Sequence, residues 1–235
     1  MYRGSSIAVV VPAHQEAEHI RRVLLAIPAY VDHVVVVDDG STDATSQMAR
    51  SVEDPRVRVH RHATNLGVGA ALRTGYRLAF EAGADVAVVM AGDAQMDPAD
   101  LPRLLDAIPE AGYAKGDRLS WPDAREKMPW TRWVGNHVLA GLTRMATGLN
   151  VRDSQCGYTA LTRTAAARID VSRMWPGYGY PNVMLAELAR AGVPIREVPV
   201  RPIYGAEASG IRAQHALVVI PGLLARIALQ RAMRP

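Results

Sequence analysis

The sequence lacks the features that mark secreted, membrane-spanning and multidomain proteins. Its 235 residues contain one cysteine, Cys156, which excludes an internal disulfide and favours a reducing compartment. No apolar run reaches the ~20 residues of a membrane-spanning helix, and the N-terminal region has no signal-peptide pattern. No stretch rich in Gly, Ser or Pro divides the chain. These absences predict a single cytoplasmic domain.

Aromatic residues and net charge are also low. Aromatics make up 6% of the chain with a single Phe, and the net charge of +4 comes from scattered basic residues. Nucleic-acid surfaces combine clustered basic residues with aromatics, so we expect no nucleic-acid partner. A mild positive charge suits phosphate-bearing small molecules or anionic lipid surfaces.

Apolar runs of four or five residues alternate with helical periodicity through the first half of the chain. Crossover helices join parallel strands, and uninterrupted valine runs are typical of strands covered on both faces. The pattern predicts an α/β fold with a mostly parallel central sheet flanked by helices. The predicted strands are Ile7 to Val11, Val34 to Val37, Val57 to His60 and Val86 to Met90.

The fourth strand ends in an acidic tip, in the sequence VAVVMAGDAQMDP. Ligands bind at the carboxyl ends of strands in open α/β sheets, so Asp93, Gln95 and Asp97 are placed to hold Mg²⁺ or Mn²⁺. The alternative is structural, with Asp97 as the cap of a helix that has Pro98 in its first turn.

Two further candidate stretches follow the second and third strands. Asp38 and Asp39 either form a turn and cap or bind ribose hydroxyls or a base. Ser41 or Thr42 is expected to cap the next helix. Gly67 belongs to NLGVGA, whose spacing is not a phosphate-binding fingerprint and whose glycines can instead serve close helix packing.

The second half of the chain is less regular. A strand is predicted to end near Arg118, and residues 120–129 form a polar loop suited to closing over a ligand. A helix is predicted over 133–147, with Gly148 as its C-cap and apolar residues at helical spacing, namely Val134, Val138, Leu142 and Met145. The polar patch RDSQCGY comes next, then a helix over 183–191 and a strand over 195–200.

With these residues described, the chain resembles the family-two nucleotide-sugar glycosyltransferases, and within them the polyprenyl- or dolichyl-phosphate sugar synthases. The resemblance covers about residues 6–212. It implies a single-domain, Rossmann-like glycosyltransferase A fold. The motifs that carry it are VVVPAHQEAEHI, VVVVDDGSTDAT, NLGVGAALRTGY, AGDAQMDP, YAKGDR, RDSQCGYTAL and IREVPV.

The resemblance also implies roles for individual residues. Asp93 and Gln95 would hold Mg²⁺ or Mn²⁺ on the donor diphosphate, which makes Asp93 catalytic. Contacts to a GDP- or UDP-linked sugar are expected from Pro12, Ala13, Glu16, Asp38, Asp39, Gly67, Gly92 and Asp93.

Two departures from the family pattern bear on these roles. The family's Asp-x-Asp reads Ala91-Gly92-Asp93, so the acid that faces the nucleotide is absent and the metal ligand remains. GDP-mannose, UDP-glucose and a UDP-N-acetylhexosamine all stay open as donors. Glu207 stands where such synthases tend to carry an arginine, and Arg212 is the expected substitute.

The acceptor is expected to be a lipid phosphate, because no catalytic base is evident. Hydroxyl-using relatives place an acid at the start of a helix whose counterpart here, GYPNVM, has none. Asp153 is either that base or an ordering residue of its patch. We expect Arg118 to act in catalysis and, with Lys127, Arg132 and Arg212, to bind the acceptor phosphate, although solvated surface charge is the commoner fate of such residues.

The expected function is therefore metal-dependent, inverting hexosyl transfer to a polyprenyl phosphate. A soluble hydroxyl acceptor and a non-catalytic nucleotide-sugar binder are the alternatives. We expect a glycosyltransferase domain at 1–210, with a nucleotide half at 1–98 and an acceptor half at 99–210. Residues 211–235 form an amphipathic helical tail that either contacts a membrane peripherally or packs on the core.

Overall fold

A seven-stranded sheet runs through the computed structural model, which describes residues 1–108, 112–203 and 215–233. The strand order is β3-β2-β1-β4-β6-β5-β7. β6 pairs antiparallel with β4 and β5, and the other pairs are parallel, which confirms the mostly parallel sheet. The strands are β1 (Ile7–Ala13), β2 (His33–Asp38), β3 (Val57–Arg61), β4 (Val86–Val89), β5 (Tyr113–Asp117), β6 (Thr159–Thr162) and β7 (Ile195–Pro199).

Helices flank both faces of this sheet. Three short helical turns of other types lie at Pro98–Asp100, Val171–Arg173 and His215–Val219. The α-helices are α1 (Ile20–Leu25), α2 (Thr45–Arg50), α3 (Val68–Glu81), α4 (Leu101–Asp106), α5 (Ala124–Lys127), α6 (Trp130–Thr147), α7 (Arg163–Arg168), α8 (Tyr180–Arg190) and α9 (Ile220–Ala232).

The core has two layers because side chains alternate along the buried strands. Val9 and Val11 of β1 pack in the layer that contains α1, whereas Val10 packs with Leu72 and Tyr76 of α3 in the other layer. Strands covered on both faces explain the uninterrupted valine runs in the sequence. This arrangement leaves the carboxyl ends of β1, β2 and β4 together at one edge of the sheet.

The C-terminal helix α9 packs against α6 and α8. Ile220, Leu224 and Ile227 are buried there against Ala146 and Ala186. The expected boundary near residue 210 lies outside the described part of the chain. Among the residues that the structure describes, no helix is long and apolar enough to cross a membrane.

The start of α2 differs from the sequence prediction. Neither Ser41 nor Thr42 caps this helix, which begins at Thr45. Instead the Asp43 carboxylate accepts a hydrogen bond from the backbone N–H of Thr45, at 3.0 Å. The Ser41 and Thr42 hydroxyls bond to Gln15, so they tie this loop to the one after β1.

Candidate active site at the carboxyl edge of the sheet

A cavity of about 670 Å³ opens at the carboxyl ends of β1, β2 and β4. An open α/β sheet places its ligand site at this edge. The cavity is lined by all the predicted nucleotide-sugar residues except Asp38, that is, by Pro12, Ala13, Glu16, Asp39, Gly67, Gly92 and Asp93.

The Gln15 side chain holds the loop after β1 in place at this cavity. Gln15 has a left-handed backbone with φ of 61°, and its amide oxygen accepts from the backbone N–H groups of Thr42 (3.3 Å) and Asp43 (3.1 Å). The next residue, Glu16, donates its backbone N–H to the Thr45 hydroxyl at 2.8 Å. The loops after β1 and β2 therefore form one hydrogen-bonded unit at the rim of the cavity.

Asp39 lies at the floor of the cavity and organises a second loop. Its buried carboxylate accepts hydrogen bonds from the backbone N–H groups of Leu66 (2.9 Å) and Gly67 (2.7 Å) and contacts His62 Nδ1 at 2.7 Å. The other ring nitrogen of His62 lies 2.9 Å from the Thr74 hydroxyl. Asp39 thus links the end of β2 to the loop that starts α3.

Asp38 has a structural set of partners. Its carboxylate is buried and accepts from the Ser41 N–H at 2.9 Å and from the Ser46 hydroxyl, with Arg61 3.5 Å away. These hydrogen bonds hold the pKa of Asp38 below its ordinary value despite desolvation. The structure therefore places Asp38 in the turn that leads to α2, the structural one of its two predicted roles.

The acidic tip after β4 forms a tight turn. The Asp93 carboxylate accepts the backbone N–H of Gln95 at 3.0 Å, and Ala94 between them has φ of 60°. Gly92 joins this turn to β1 by donating its N–H to the Pro12 carbonyl at 3.1 Å. The turn places Asp93 at the cavity, with Gln95 two residues further along the chain.

The donor set of this turn fits a metal that is shared with a substrate. Within residues 1–108, 112–203 and 215–233, no group of three His, Cys, Asp or Glu side chains is arranged to hold a metal. Mg²⁺ usually takes only one or two protein carboxylates and completes its shell with substrate phosphates and water. Asp93 and Gln95 offer the hard oxygen ligands that such a site requires.

Asp97 has the capping role that the sequence offered as an alternative. Its carboxylate accepts the Ala99 N–H at 2.8 Å, with Pro98 in the first turn, and pairs with Arg201 at 2.7 Å. Asp97 thus anchors the tip to the segment after β7.

Two glycines at the start of α3 let a loop from the second half of the chain close the cavity. A Cβ on Gly67, where φ is 95°, would lie 2.6 Å from the Pro176 carbonyl oxygen, and one on Gly69 would lie 1.9 Å from that of Trp175. Gly69 also donates its N–H to Pro176 at 2.6 Å. These contacts give the glycines the close-packing role that the sequence allowed.

Asp153 and Arg118 form a bidentate ion pair at the end of β5. Asp153 is fully buried, and its two carboxylate oxygens lie 2.7 Å from Arg118 Nε and 3.0 Å from Arg118 Nη2. Arg118, with further help from Lys115, holds the pKa of Asp153 well below its usual range although burial opposes this. An ionised carboxylate committed in this way is suited to ordering the patch rather than to accepting a proton.

Hydrogen bonds from β5 and β7 also hold the loop that carries Asp153. Lys115 is completely buried, and its ammonium donates to the carbonyls of Asp153 and Cys156. Glu197 of β7 accepts the N–H groups of Arg152 (2.8 Å) and Asp153 (3.2 Å), and burial raises the pKa of Glu197. Two strands, β5 and β7, therefore hold the loop whose Asp153 positions the Arg118 guanidinium.

The first turn of α8 contains no acid. Asn182 in this turn is buried, and its amide oxygen accepts from the Thr143 hydroxyl (2.8 Å) and from Gln155 Nε2 (3.3 Å). This neutral side chain joins α6, α8 and the RDSQCGY patch.

The other predicted phosphate-binding cations are more scattered. Lys127 is about half-exposed on α5 and pairs with Asp123 at 3.2 Å. Arg132 is partly buried in the first turn of α6. Arg212 lies outside the described residues. Arg118 is held by the buried Asp153 carboxylate, whereas the ion pair that Lys127 forms is exposed to solvent.

Sequence reasoning missed several residues of the site. Trp175 and Tyr178 line the cavity from the sequence WPGYG, whose aromatic and turn-forming residues just before α8 were a usable signal. His62 and Lys115 gave no such signal, because their contacts join residues far apart in the sequence.

The chain is similar in sequence to known glycosyltransferases. The family model described as glycosyl transferase family 2 matches residues 8–169. The chain is 33% identical over 208 residues to an undecaprenyl-phosphate mannosyltransferase of Micrococcus luteus, covering 83% of this chain and 82% of that protein. It is 32% identical over 201 residues to a polyprenol monophosphomannose synthase of Mycolicibacterium smegmatis, with 82% and 75% covered.

A third relative is named for the transfer of N-acetylglucosamine rather than mannose. The chain is 30% identical over 215 residues to a UDP-N-acetylglucosamine–dolichyl-phosphate N-acetylglucosaminyltransferase of Methanococcus voltae, with 84% and 86% covered. Among solved structures, the glucosyl-3-phosphoglycerate synthase of Mycobacterium tuberculosis with Mn²⁺, UDP and glucosyl-3-phosphoglycerate has a TM-score of 0.69 at 24% identity, covering 99% of this chain and 81% of that one. That similarity confirms the fold.

Proposed function

The chain belongs to glycosyltransferase family 2, and from this premise we propose that it moves a hexose from a nucleotide sugar to a polyprenyl phosphate, with inversion at the anomeric carbon. The chain is a glycosyltransferase, and the acceptor and the metal requirement are the new parts of this proposal. Three relatives at 30–33% identity have polyprenyl carriers in their names, which supports the acceptor class.

The observation that carries the acceptor assignment is the acid-free first turn of α8. A sugar hydroxyl needs a base within reach, and Asn182 offers none at this position. Asp153 is held as a carboxylate by Arg118 and does not fill the gap. A phosphate monoester is already an anion, so it needs orientation and no proton removal.

With a phosphate as the acceptor, the glycosyl transfer needs no base. An oxygen of the acceptor phosphate forms the new bond to the anomeric carbon while the bond from that carbon to the donor's diphosphate oxygen breaks. The electron pair leaves with the nucleoside diphosphate. The products are a sugar–phosphate–polyprenyl ester and free GDP or UDP.

We assign the donor to the cavity at the carboxyl edge. Pro12, Ala13, Glu16 and Asp39 would line the nucleoside part, with Gly67 and Gly92 in the wall of the same cavity. Asp93 and Gln95 would hold Mg²⁺ or Mn²⁺, which neutralises charge on the leaving diphosphate. GDP and UDP both remain candidate leaving groups.

The acceptor phosphate is assigned to Arg118. Its guanidinium is fixed by Asp153 yet remains partly exposed, so it can present donors to a phosphate without reorganising. Lys127, Arg132 and Arg212 are proposed to add positive charge for the acceptor phosphate. A lipid acceptor also implies peripheral contact with a membrane surface.

Nucleotide release across donor and acceptor pairs tests this function. GDP-mannose, UDP-glucose and UDP-N-acetylglucosamine are each offered with a polyprenyl phosphate, with soluble sugars and with no acceptor. We expect GDP or UDP release that depends on the polyprenyl phosphate and on added Mg²⁺ or Mn²⁺. Release that depends on a soluble sugar instead would overturn the acceptor assignment.

A further inference from the structure

Helix α6 exposes its large apolar side chains, whereas a helix that packs on a core buries them. Its buried positions carry small or polar residues, namely Ala140, Thr143, Ala146 and Thr147. Its apolar stripe faces outward, with Trp130 at 66% exposure, Val138 at 56%, Leu142 at 37% and Met145 at 78%. The periodicity that the sequence shows at this helix therefore marks an exposed surface, which we call the α6 face and define by these four residues.

The neighbouring helix α9 extends this surface. α9 packs on α6 through Ile220, Leu224 and Ile227, whereas Leu229 and Met233, the residue that follows the helix, are largely exposed. Arg231 of α9 reaches the carbonyl of Met145 at 3.4 Å, so the end of α9 lies beside the end of the α6 face. Exposed apolar side chains gathered on adjoining helices, rather than scattered singly, mark an interaction site.

Charge identifies what this surface contacts. The sequence has no Asp or Glu between Glu126 and Asp153, and none after Glu207. The charged side chains of α6 and of the described part of α9 are arginines, with Arg144, Arg226 and Arg231 exposed. The residues of α6 and α9 themselves combine exposed apolar groups with cations and include no acid, which is complementary to an anionic lipid bilayer, whereas a second copy of the chain would bring like charges together.

We propose that the α6 face docks this protein on an anionic membrane surface. Trp130, stacked on Trp133 at 5.8 Å between ring centroids, has the amphipathic aromatic character that is enriched at the interface of a bilayer. α6 starts directly after the polar loop that follows Arg118, so docking brings this end of the site towards the lipid. The proposal rests on the proposed function, because docking serves an enzyme whose acceptor is a lipid phosphate. Binding to vesicles can nevertheless be measured without any turnover.

Vesicle flotation tests the proposal with the full chain. We compare vesicles of pure phosphatidylcholine with vesicles containing about one third phosphatidylglycerol. The double substitution Val138→Glu with Met145→Glu removes the apolar contact and adds negative charge at exposed positions, so the fold tolerates it. Leu25→Glu on α1, which is 58% exposed and remote in sequence from α6 and α9, is the matched control.

We expect the wild-type chain and Leu25→Glu to float with the anionic vesicles, and the double variant to bind them at least tenfold more weakly. Equal flotation of the wild type and the double variant would overturn the proposal, as would binding that is independent of lipid charge. A concentration-dependent dimer that the double variant abolishes, without vesicle binding by the wild type, would assign the face to a second copy instead.

Transfer to a short-chain, water-soluble polyprenyl phosphate separates this proposal from the proposed function. In the absence of vesicles the double variant should keep wild-type kcat, because its substitutions lie outside the site. If the wild type transfers to no polyprenyl phosphate, the proposed function fails and the flotation result stands on its own. Loss of kcat in the double variant without vesicles would show that the α6 face serves the catalytic fold rather than docking.

Discussion

Asp153 is a fully buried carboxylate that Arg118 keeps ionised. Three backbone N–H groups also donate to it, those of Arg118 (3.2 Å), Gln155 (3.2 Å) and Cys156 (3.1 Å). One side chain thereby fixes a guanidinium and a loop at once. Asp153 therefore keeps this part of the proposed acceptor site ordered.

The effect of replacing Asp153 on the free energy of unfolding should depend on pH. A carboxyl whose folded pKa is below its ordinary value of about 4 stabilises the fold above that value, and this contribution is lost as the pH falls towards the folded pKa. Asp153→Asn should therefore lower the free energy of unfolding by about 3 kcal/mol at pH 7, with a smaller loss at pH 3.5. Urea denaturation at both pH values measures this difference. A loss of the same size at both values would contradict the ion-pair account.

Asp93 is expected to act in the reaction and not in the fold. Asp93→Asn should lower kcat at least 100-fold, because it removes the charged ligand from the proposed metal site, while the midpoint of thermal unfolding changes little. Asp97→Asn is the control, since an asparagine also caps a helix and Asp97 binds Ala99 and Arg201 instead. Wild-type kcat in Asp93→Asn, or full activity in excess chelator, would refute the metal assignment.

At the scale of elements, α3 and the loop at 175–177 come into unusually close contact. The Trp175 and Pro176 carbonyls approach the start of α3 only because Gly67 and Gly69 lack side chains. This contact joins the start of α3 to the segment that leads into α8. It also forms one wall of the cavity at the carboxyl edge of the sheet.

Gly69→Ala should break that contact. The added Cβ would lie 1.9 Å from the backbone oxygen of Trp175, so the loop or the helix must move, at a cost of about 1–3 kcal/mol. Gly135→Ala, in the middle of α6 with no atom within 4 Å of the added Cβ, should instead stabilise by about 0.5–1 kcal/mol. Thermal or urea unfolding of both variants checks these opposite signs. Destabilisation of equal size in the two would mean that the effect is not the close approach at Gly69.

Element prediction from sequence succeeded where the signal is local. The valine runs gave the first four strands, and Gly148 caps α6 in a left-handed conformation as expected. The helical spacing of apolar residues in α6 showed that they share one face of the helix. It could not show whether that face packs on the protein or is exposed to solvent. The reversed direction of β6 was also not predictable, since its pairing joins Thr159 to Val89 across a long stretch of chain.

At the scale of the whole molecule, the sheet gathers distant segments at a single edge. The cavity joins the ends of β1, β2 and β4 to the loop at 175–178, and the Arg118 pair lies at the end of β5. The sequence motifs predicted most of the cavity lining because each motif follows a strand. Trp175 and Tyr178 could not be placed that way, because only the folded chain brings their loop to the ends of these strands.

The phosphate nature of the acceptor is the claim on which the account depends most. The direct measurement compares kcat/KM for a polyprenyl phosphate and for the polyprenol of the same chain length, with one donor and one metal concentration. General-base catalysis contributes about 10²–10⁴-fold, and α8 offers no base in its first turn. We predict that the phosphate reacts at least 100-fold faster, and that Asp153→Asn does not lower the slow rate with the alcohol, because Asp153 is not a base. Equal rates for the alcohol and the phosphate would contradict the account.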